Sequence, residues 1–378
     1  MSLLNRSGSV GQRALALVTI AIAAVVTTAS PAGAAGARPT IYTLSNSPTH
    51  NQVLIFEQGA GGSLGLISAV DTGGLGTGAG LGNQGALAIT RNERWLFAVN
   101  PGSNTISVFA VGPNGLTLVS KIGSGGKTPV SLTIHDDVLY VLNQVQGGGV
   151  GNITGFRIQE NGTLSPLPGS TRPLSKPSGT DAAEVSFSPD GEFLAVTEKA
   201  TSVIDVYPVE DGIAQHPTVQ TSSGLEPFGF AFDHRDHIVV SEAVNATVSS
   251  YDIPEHGDGL AVVTGSLPLL AGQIAPCWVA VTPNEKFAFT GNAGSGSIST
   301  LSIDRRGILS NLASTPISPT AHTTDLAVSP NGKFLFALTN GLLSITGFQV
   351  DQRGGLTPIA SGAPTNLLGT APTGLVVR

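Results

Sequence analysis

Only one cysteine, Cys277, occurs in 378 residues. No intrachain disulfide can form, so a core of ordinary size must hold the fold. Charge is also scarce. Charged residues make up 11% of the chain and aromatics 5%, which excludes the charged heptads of a coiled coil. The 18 Lys and Arg residues form no run, and the formal net charge is −7. No clustered basic face is offered to nucleic acid and no basic amphipathic helix to a membrane surface. No apolar stretch reaches the roughly 20 residues of a membrane span. What the chain does have is 49 glycines and 40% hydrophobic residues. The glycines lack the three-residue period of collagen, and the hydrophobic content excludes a disordered tail.

The N-terminus has the form of an export signal. Arg6 and Arg13 provide a positive start, residues 14–26 form a thirteen-residue apolar run, and Ala32-Gly33-Ala34 and Ala35-Gly36-Ala37 are small-x-small cleavage sites. Residues 1–37 are therefore expected to be a secretory signal peptide cut near 34–37. The expected product, residues 38–378, is a single domain in the cell envelope or outside the cell, with no membrane attachment after cleavage. Cys277, opening the apolar run Cys277-Trp278-Val279, reads as a small buried hydrophobe.

A short apolar segment recurs along the rest of the chain: LAIT ending at Thr90, LTIH at His135, VSFS at Ser188, FAFD at Asp233, VAVT at Thr282, LAVS at Ser329 and LVVR at Arg378. The spacing is 45–53 residues. Most copies are followed by a turn, as in Ser188-Pro189-Asp190-Gly191 and Ser329-Pro330-Asn331-Gly332, then by a second apolar run, a β-branched run and a short run after a glycine turn. Four strands per 40–50 residues is the signature of a propeller blade. The last repeat stops after one strand and the region after residue 37 begins with three. The expected fold is an all-β, seven-bladed β-propeller with four antiparallel strands per blade, closed by one blade shared between the two termini. Pairing of Thr373–Val377 with the strand beginning at Thr40 would leave no open edge at the seam.

Several motifs fail on context. Gly61-Gly62-Ser63-Leu64-Gly65 matches a nucleophile elbow but lies in a turn between outer strands, not at a strand-to-helix corner. Gly80-Leu81-Gly82-Asn83-Gln84-Gly85 matches a dinucleotide fingerprint but leads into a strand, and reads as a blade-to-blade loop. Gly126-Lys127-Thr128 lacks the upstream glycine of a phosphate loop. Asp233-His234-Arg235-Asp236-His237 is the densest ionic cluster and reads as a solvated turn.

Repeat phase places the start of each first strand and the end of each second strand on one face, around the mouth of the central channel. The second strands are expected to end in Asn46, Asn100, Asn143, Glu198, Glu242, Asn292 and Asn340. The asparagines suit loop capping through backbone hydrogen bonds. The segments leading into the first strands add Asp181, Glu184, Glu226, His322 and Asp325. Asp181, Glu184, Glu198, Glu226 and Glu242 would share one sector, where crowded carboxylates suit acid–base chemistry or cation binding. Lys199 and Lys176 offer the alternative of a neutralised structural network.

The S-P-D-G-E-F-L and S-P-N-G-K-F-L-F segments at Ser188 and Ser329, the seven-unit phase and the split closing blade resemble the lactonase-type seven-bladed propellers. That family includes bacterial 6-phosphogluconolactonase and fungal carboxymuconate cyclase. YVTN-type surface propellers are similar, as Leu139-Tyr140-Val141-Leu142-Asn143 shows. The resemblance implies a lactone hydrolase or cycloisomerase, yet the family's functional positions are largely altered. Its P-H-P-H is replaced by Asp181-Ala182-Ala183-Glu184, its P-R-H by Pro227-Phe228-Gly229, and its S-N-R by Gly291-Asn292-Ala293. Its N-E-L corresponds to Ser241-Glu242-Ala243, which keeps the glutamate. An uncharged lactone is thus the expected substrate. Glu242 is the expected base, Glu198 or Asp181 would raise its pKa, and His322 would be the acid; metal dependence stays open. The alternative is a non-catalytic scaffold for a surface protein or glycan. No cofactor is expected, and a monomer is.

Overall fold

The computed structural model describes residues 39–59, 63–145, 150–254, 259–359 and 371–378. The segment 1–37 expected to be a leader, and part of the G-x-S-x-G motif, lie outside the described residues. The described chain is all β except for one 3-10 turn, Asn340–Leu342. Its strands make seven blades in a ring. Blade 1 comprises Leu87–Ile89, Trp95–Asn100, Thr105–Gly112 and Gly115–Gly123. The first strands of blades 2 to 6 are Pro129–His135, Ala182–Phe187, Pro227–Phe232, Pro276–Val281 and Thr323–Val328. In blades 2 and 3 the outer edge is divided between two short strands. Blade 7 has the order Leu64–Asp71, Gln52–Gln58, Thr40–Leu44, Thr373–Val377, so its innermost strand comes from the C-terminal end. Ile41 pairs with Val377 and Tyr42 with Val376, and Arg378 and Thr40 exchange backbone hydrogen bonds.

The burial pattern explains why these sequences form these strands. Second strands such as Phe193–Glu198 and Val138–Asn143 are buried at every position, as a continuous short apolar run requires when both faces of a sheet are covered by neighbouring blades. Outermost strands such as Leu64–Asp71 are largely exposed. The core is thus distributed between blades. Phe193 and Val206 pack against Phe230 and Tyr251 at the seam of blades 3 and 4, and Phe336 and Leu338 against Phe56 and Leu375 at the seam of blades 6 and 7.

The hairpin turns on the face opposite the mouth repeat one chemistry. The Ser188 hydroxyl donates to Asp190 and accepts from the Phe193 N–H, with Gly191 at φ 79°. Ser329, Asn331 and Gly332 do the same, and Thr282, Asn284 and Glu285 reproduce it with a glutamate in the left-handed position. The Asp233–His237 turn is different from the solvated one expected. The Asp233 carboxylate is fully buried, bonded to the His237 ring at 2.8 Å and flanked by Arg235, which also pairs with Glu285 at 2.5 Å. Among the described residues no three His, Cys, Asp or Glu side chains gather to hold a metal.

Strand register corrects two of the expected strand ends. Thr339, opposite Ser344, holds the place of Asn292 opposite Ser297, so Asn340 lies one residue beyond. In blade 7 the strand stops at Leu44, Ser45 bonds back to Gln52, and Asn46 has already turned into the loop with φ 51°.

Candidate active site

Five blades start their innermost strand from the same backbone device. Thr128, Asp181, Glu226, Ala275 and His322 each precede the strand with φ between 44° and 61°. In each blade a bulge follows within the first residues. The presence of alanine and threonine in the series shows that the strain belongs to the fold. Its effect is to bring Asp181, Glu226 and His322 to the rim of the channel mouth, where Asp181 and His322 are exposed and Glu226 is partly exposed.

The channel beneath this rim is closed by the protein's own chain. The connector from blade 7 to blade 1, residues 72–86, has fifteen residues where the connectors following blades 1 to 5 have five to eight. Its inner part reaches across the ring. The Gln84 N–H donates to the Ala183 carbonyl of blade 3, and the Gln84 side-chain amide both donates to and accepts from the backbone of Val279 in blade 5. The Asn83 amide donates to the Val130 carbonyl of blade 2, its carbonyl accepts from the Trp278 indole at 2.9 Å, and its side-chain oxygen accepts from Thr373 in blade 7. Asn46 anchors the outer part of the connector through Thr77 and Ala79, and also reaches the Ala371 carbonyl. The sequence motif Gly80–Gly85 is therefore a blade-to-blade loop as expected, and also a plug.

Lys199 sits against this plug. Its ammonium donates to the Gly82 carbonyl at 2.5 Å, lies 3.4 Å from Asp181 and stands 4.6 Å over the Phe228 ring. Burial lowers its pKa, and Asp181 and Glu226 oppose that shift. Phe228 in turn meets Trp278 edge to face at 5.3 Å. The partly exposed Glu226 carboxylate makes no hydrogen bond among the described residues; its backbone is fixed by Ser202 and Ala243. Cys277 lies below, its thiol pushed up to about 12 by burial and by the nearby Glu226 charge. It is no nucleophile.

The acidic sector expected from repeat phase divides into three places. Asp181 and Glu226 stay at the rim. Glu184 lies deeper and is buried, its carboxylate accepting from the Phe230 N–H at 2.8 Å. Its pKa is held well above the usual carboxylate range by burial, with Asp325 adding to the shift. Asp325 is raised in the same way by burial, and its Oδ2 has no partner among the described residues. Glu198 and Glu242 do end second strands, but their carboxylates turn inward and are fully buried. Glu242 accepts from Ser222, Gly224 N–H, Thr247 and Ser249 at 2.6–3.0 Å. Glu198 accepts from the Ser175 N–H and hydroxyl and from Thr201. Asp205 lies beside Glu198, its pKa raised to about 8 by burial and by that neighbour. These carboxylates clamp the connector that leads into their own blade. Asn100, Asn143 and Asn292 do the same with Thr72, Ser124 and Gln273. Asn340 holds the Pro372 carbonyl at the seam. Sequence reading missed Gln84, Asn83 and Asp205. The length of the 72–86 connector was a visible signal for the first two; nothing in the sequence singled out Asp205.

A groove of about 1080 Å³ opens on the opposite face, between the turns of blades 1 to 3, and Arg91, His135 and Glu160 line it. It is remote from the rim residues.

Fold and mouth together define a seven-bladed propeller with a plugged channel and a carboxylate-bearing rim. The chain matches the family described as lactonase, seven-bladed β-propeller, over residues 42–171, 150–257 and 239–365, and it belongs to that family. It is 26% identical over 175 residues to a 6-phosphogluconolactonase of Serratia proteamaculans, covering 42% of this chain and 47% of the relative. It is 24% identical over 221 residues to that of Yersinia enterocolitica, covering 56% and 62%. The chain thus spans about half the length of the curated relatives it matches. Among solved structures, a putative 6-phosphogluconolactonase from Bacteroides fragilis superposes with a TM-score of 0.71 at 17% identity, covering 91% of this chain and 98% of the other. The periplasmic gluconolactonase of Pseudomonas aeruginosa gives 0.70 at 18%, covering 90% and 98%. These likenesses establish the fold.

Proposed function

We propose that this propeller hydrolyses an uncharged lactone at the channel mouth, with Glu226 as the general base. The observation that carries the reading is the Glu226 carboxylate itself: it is at the rim, reachable, without a hydrogen-bond partner among the described residues, and within electrostatic reach of the Lys199 ammonium. Membership of the lactonase family supports the reaction class. Glu226 would take a proton from water as the water oxygen adds to the lactone carbonyl. The acyl C–O bond then breaks, and the ring alkoxide recovers the proton to give the hydroxy acid. The positive field of Lys199 would favour the oxyanion formed on the way. A phosphorylated substrate is disfavoured, because Lys199 is only 6% exposed and already engaged by Asp181 and the Gly82 carbonyl.

The test is hydrolysis of a panel of uncharged lactones followed by pH titration of the released acid. Glu226→Gln is expected to cost on the order of 10²–10⁴ in turnover with the melting temperature kept. Wild-type turnover no faster than buffer across the panel would overturn the reading. The plug favours a second reading. A channel sealed by residues 81–85, with Glu198 and Glu242 used as clamps, suits a scaffold that holds a protein or glycan without turning it over. Absence of turnover would favour that reading.

A further inference from the structure

We propose that the lactone carries a hydrocarbon tail, laid along the rim of blades 4 and 5; this rests on the hydrolytic reading above. Four large apolar side chains stand exposed there: Leu225 at 52%, Val244 at 61%, Leu270 at 40% and Ile274 at 58%. They lie on neighbouring segments. The 243–246 loop, which bears Val244, is bonded to the connectors bearing Leu225 and Leu270. Ile274 follows four residues after Leu270 on the second connector, bonded to the next loop at Gly294 and Ser295. The Leu225 N–H donates to Asn245 at 2.6 Å, the Ala243 N–H to the Glu226 carbonyl, and the Leu269 N–H to the Ala246 carbonyl. The loop at 243–246 therefore lies between the connector bearing Leu225 and the connector bearing Leu270 and Ile274.

Scattered exposed apolar residues need no explanation, but four gathered on bonded neighbouring segments of one rim do. This one leads inward. Leu225 adjoins Glu226 and Ile274 adjoins Ala275, both members of the rim series. From there the apolar surface continues through Ala243, Ala275 and Ala293, which pack against the cluster containing Phe228 and Trp278. An apolar track thus runs from solvent to the carboxylate assigned as base. Residues 222–226, 243–246, 269–275 and 293–296 contain no Lys or Arg, and Glu226 is their one charged residue. Nothing on the track would hold a phosphate or carboxylate group. The charged rim residues Asp181 and Lys199 lie on blade 3, so the two sides of the mouth differ: polar for the ring, apolar for the tail.

The experiment measures kcat/KM for γ-lactones with saturated tails of one to seven carbons, using the wild type and the Val244→Asp, Ile274→Asp double variant. Both positions are exposed, so the fold tolerates the change, and a melting curve confirms it. In the wild type kcat/KM is expected to rise with each added methylene, by up to about fourfold where it is fully covered, and in the variant the series should flatten. A flat wild-type series would overturn the proposal. The matching γ-lactams, whose ring is not opened, are titrated by calorimetry in parallel. Lactam affinity that climbs with tail length while no lactone is hydrolysed would sink the hydrolytic reading and keep the tail surface. Concentration-dependent dimerisation abolished by Val244→Asp would show instead that the apolar rim joins two copies of the chain, and the tail assignment would fall.

Discussion

In blade 4 the buried Glu242 carboxylate collects donors from its own blade and from the connector at Ser222 and Gly224, and in blade 5 the Asn292 amide reaches Gln273, Ser297 and Ser299. A carboxyl group and an amide thus serve one structural purpose at equivalent positions. Sequence could place Glu242 at the strand end but not decide which way its carboxylate turned, because that depends on hydroxyls at Ser249 and Ser266 that no motif marks. Glu242→Ala should therefore leave buried donors unpaired and cost about 3 kcal/mol, seen in urea denaturation, while kcat/KM of the folded fraction falls far less than in Glu226→Gln, since only the clamp on the base's connector is lost. A loss of turnover without a loss of stability would return Glu242 to the chemistry. Asp205 carries a pH signature. Folded, it keeps its proton to about pH 8; in the unfolded chain it releases it near pH ~4. Between those limits the folded state binds more protons. Stability from this group is full below pH ~4 and is lost as pH rises through about 8. Asp205→Asn should leave stability nearly unchanged at pH ~4 and raise it increasingly towards pH 8; parallel wild-type and variant stability curves over that range would contradict the assignment.

At the scale of elements, the connector 72–86 is the part that sequence described least well. Its length and its glycines were legible, and both fit a loop. Its path was not, since most partners of Gln84 and Asn83 are backbone groups of blades 2, 3 and 5, which any sequence supplies, and the two side chains that join them, Trp278 and Thr373, stand in no motif. One residue on the far side does record the path. A Cβ at Gly229 would meet the Gln84 side-chain oxygen and come within 2.6 Å of the Cys277 carbonyl. Gly229→Ala is expected to cost about 1–3 kcal/mol through this crowding. The double variant with Gln84→Gly should lose less than the two single losses combined, because the nearest colliding atom is gone and only the Cys277 and Trp278 backbone still crowds the methyl. Strictly additive melting losses would show that the crowding lies elsewhere.

For the whole molecule, the seven-fold repeat was readable because each unit carries its own turn chemistry, such as the Ser188–Asp190 and Ser329–Asn331 pairs. The seam followed from the same count, and Thr373–Val377 does pair with Thr40–Leu44. Deleting residues 373–378 would remove buried Leu375 and Val377 and bare the edge at Thr40–Leu44. The loss should exceed the 0.5–3 kcal/mol typical of a point variant; a truncated protein with an unchanged melting temperature would show that blade 7 closes otherwise. The plug bears on how such a ring comes apart. Blades that touch only their neighbours form a nearly one-dimensional array, in which a frayed unit need not disturb a distant one. Residues 83–84 act as the hub of a wheel, with spokes to blades 2, 3, 5 and 7. Loosening any of those four blades slackens the hub, and so the spokes to the other three. The wheel therefore yields as a single cooperative unit, and the rim residues keep their spacing until the whole of it gives way.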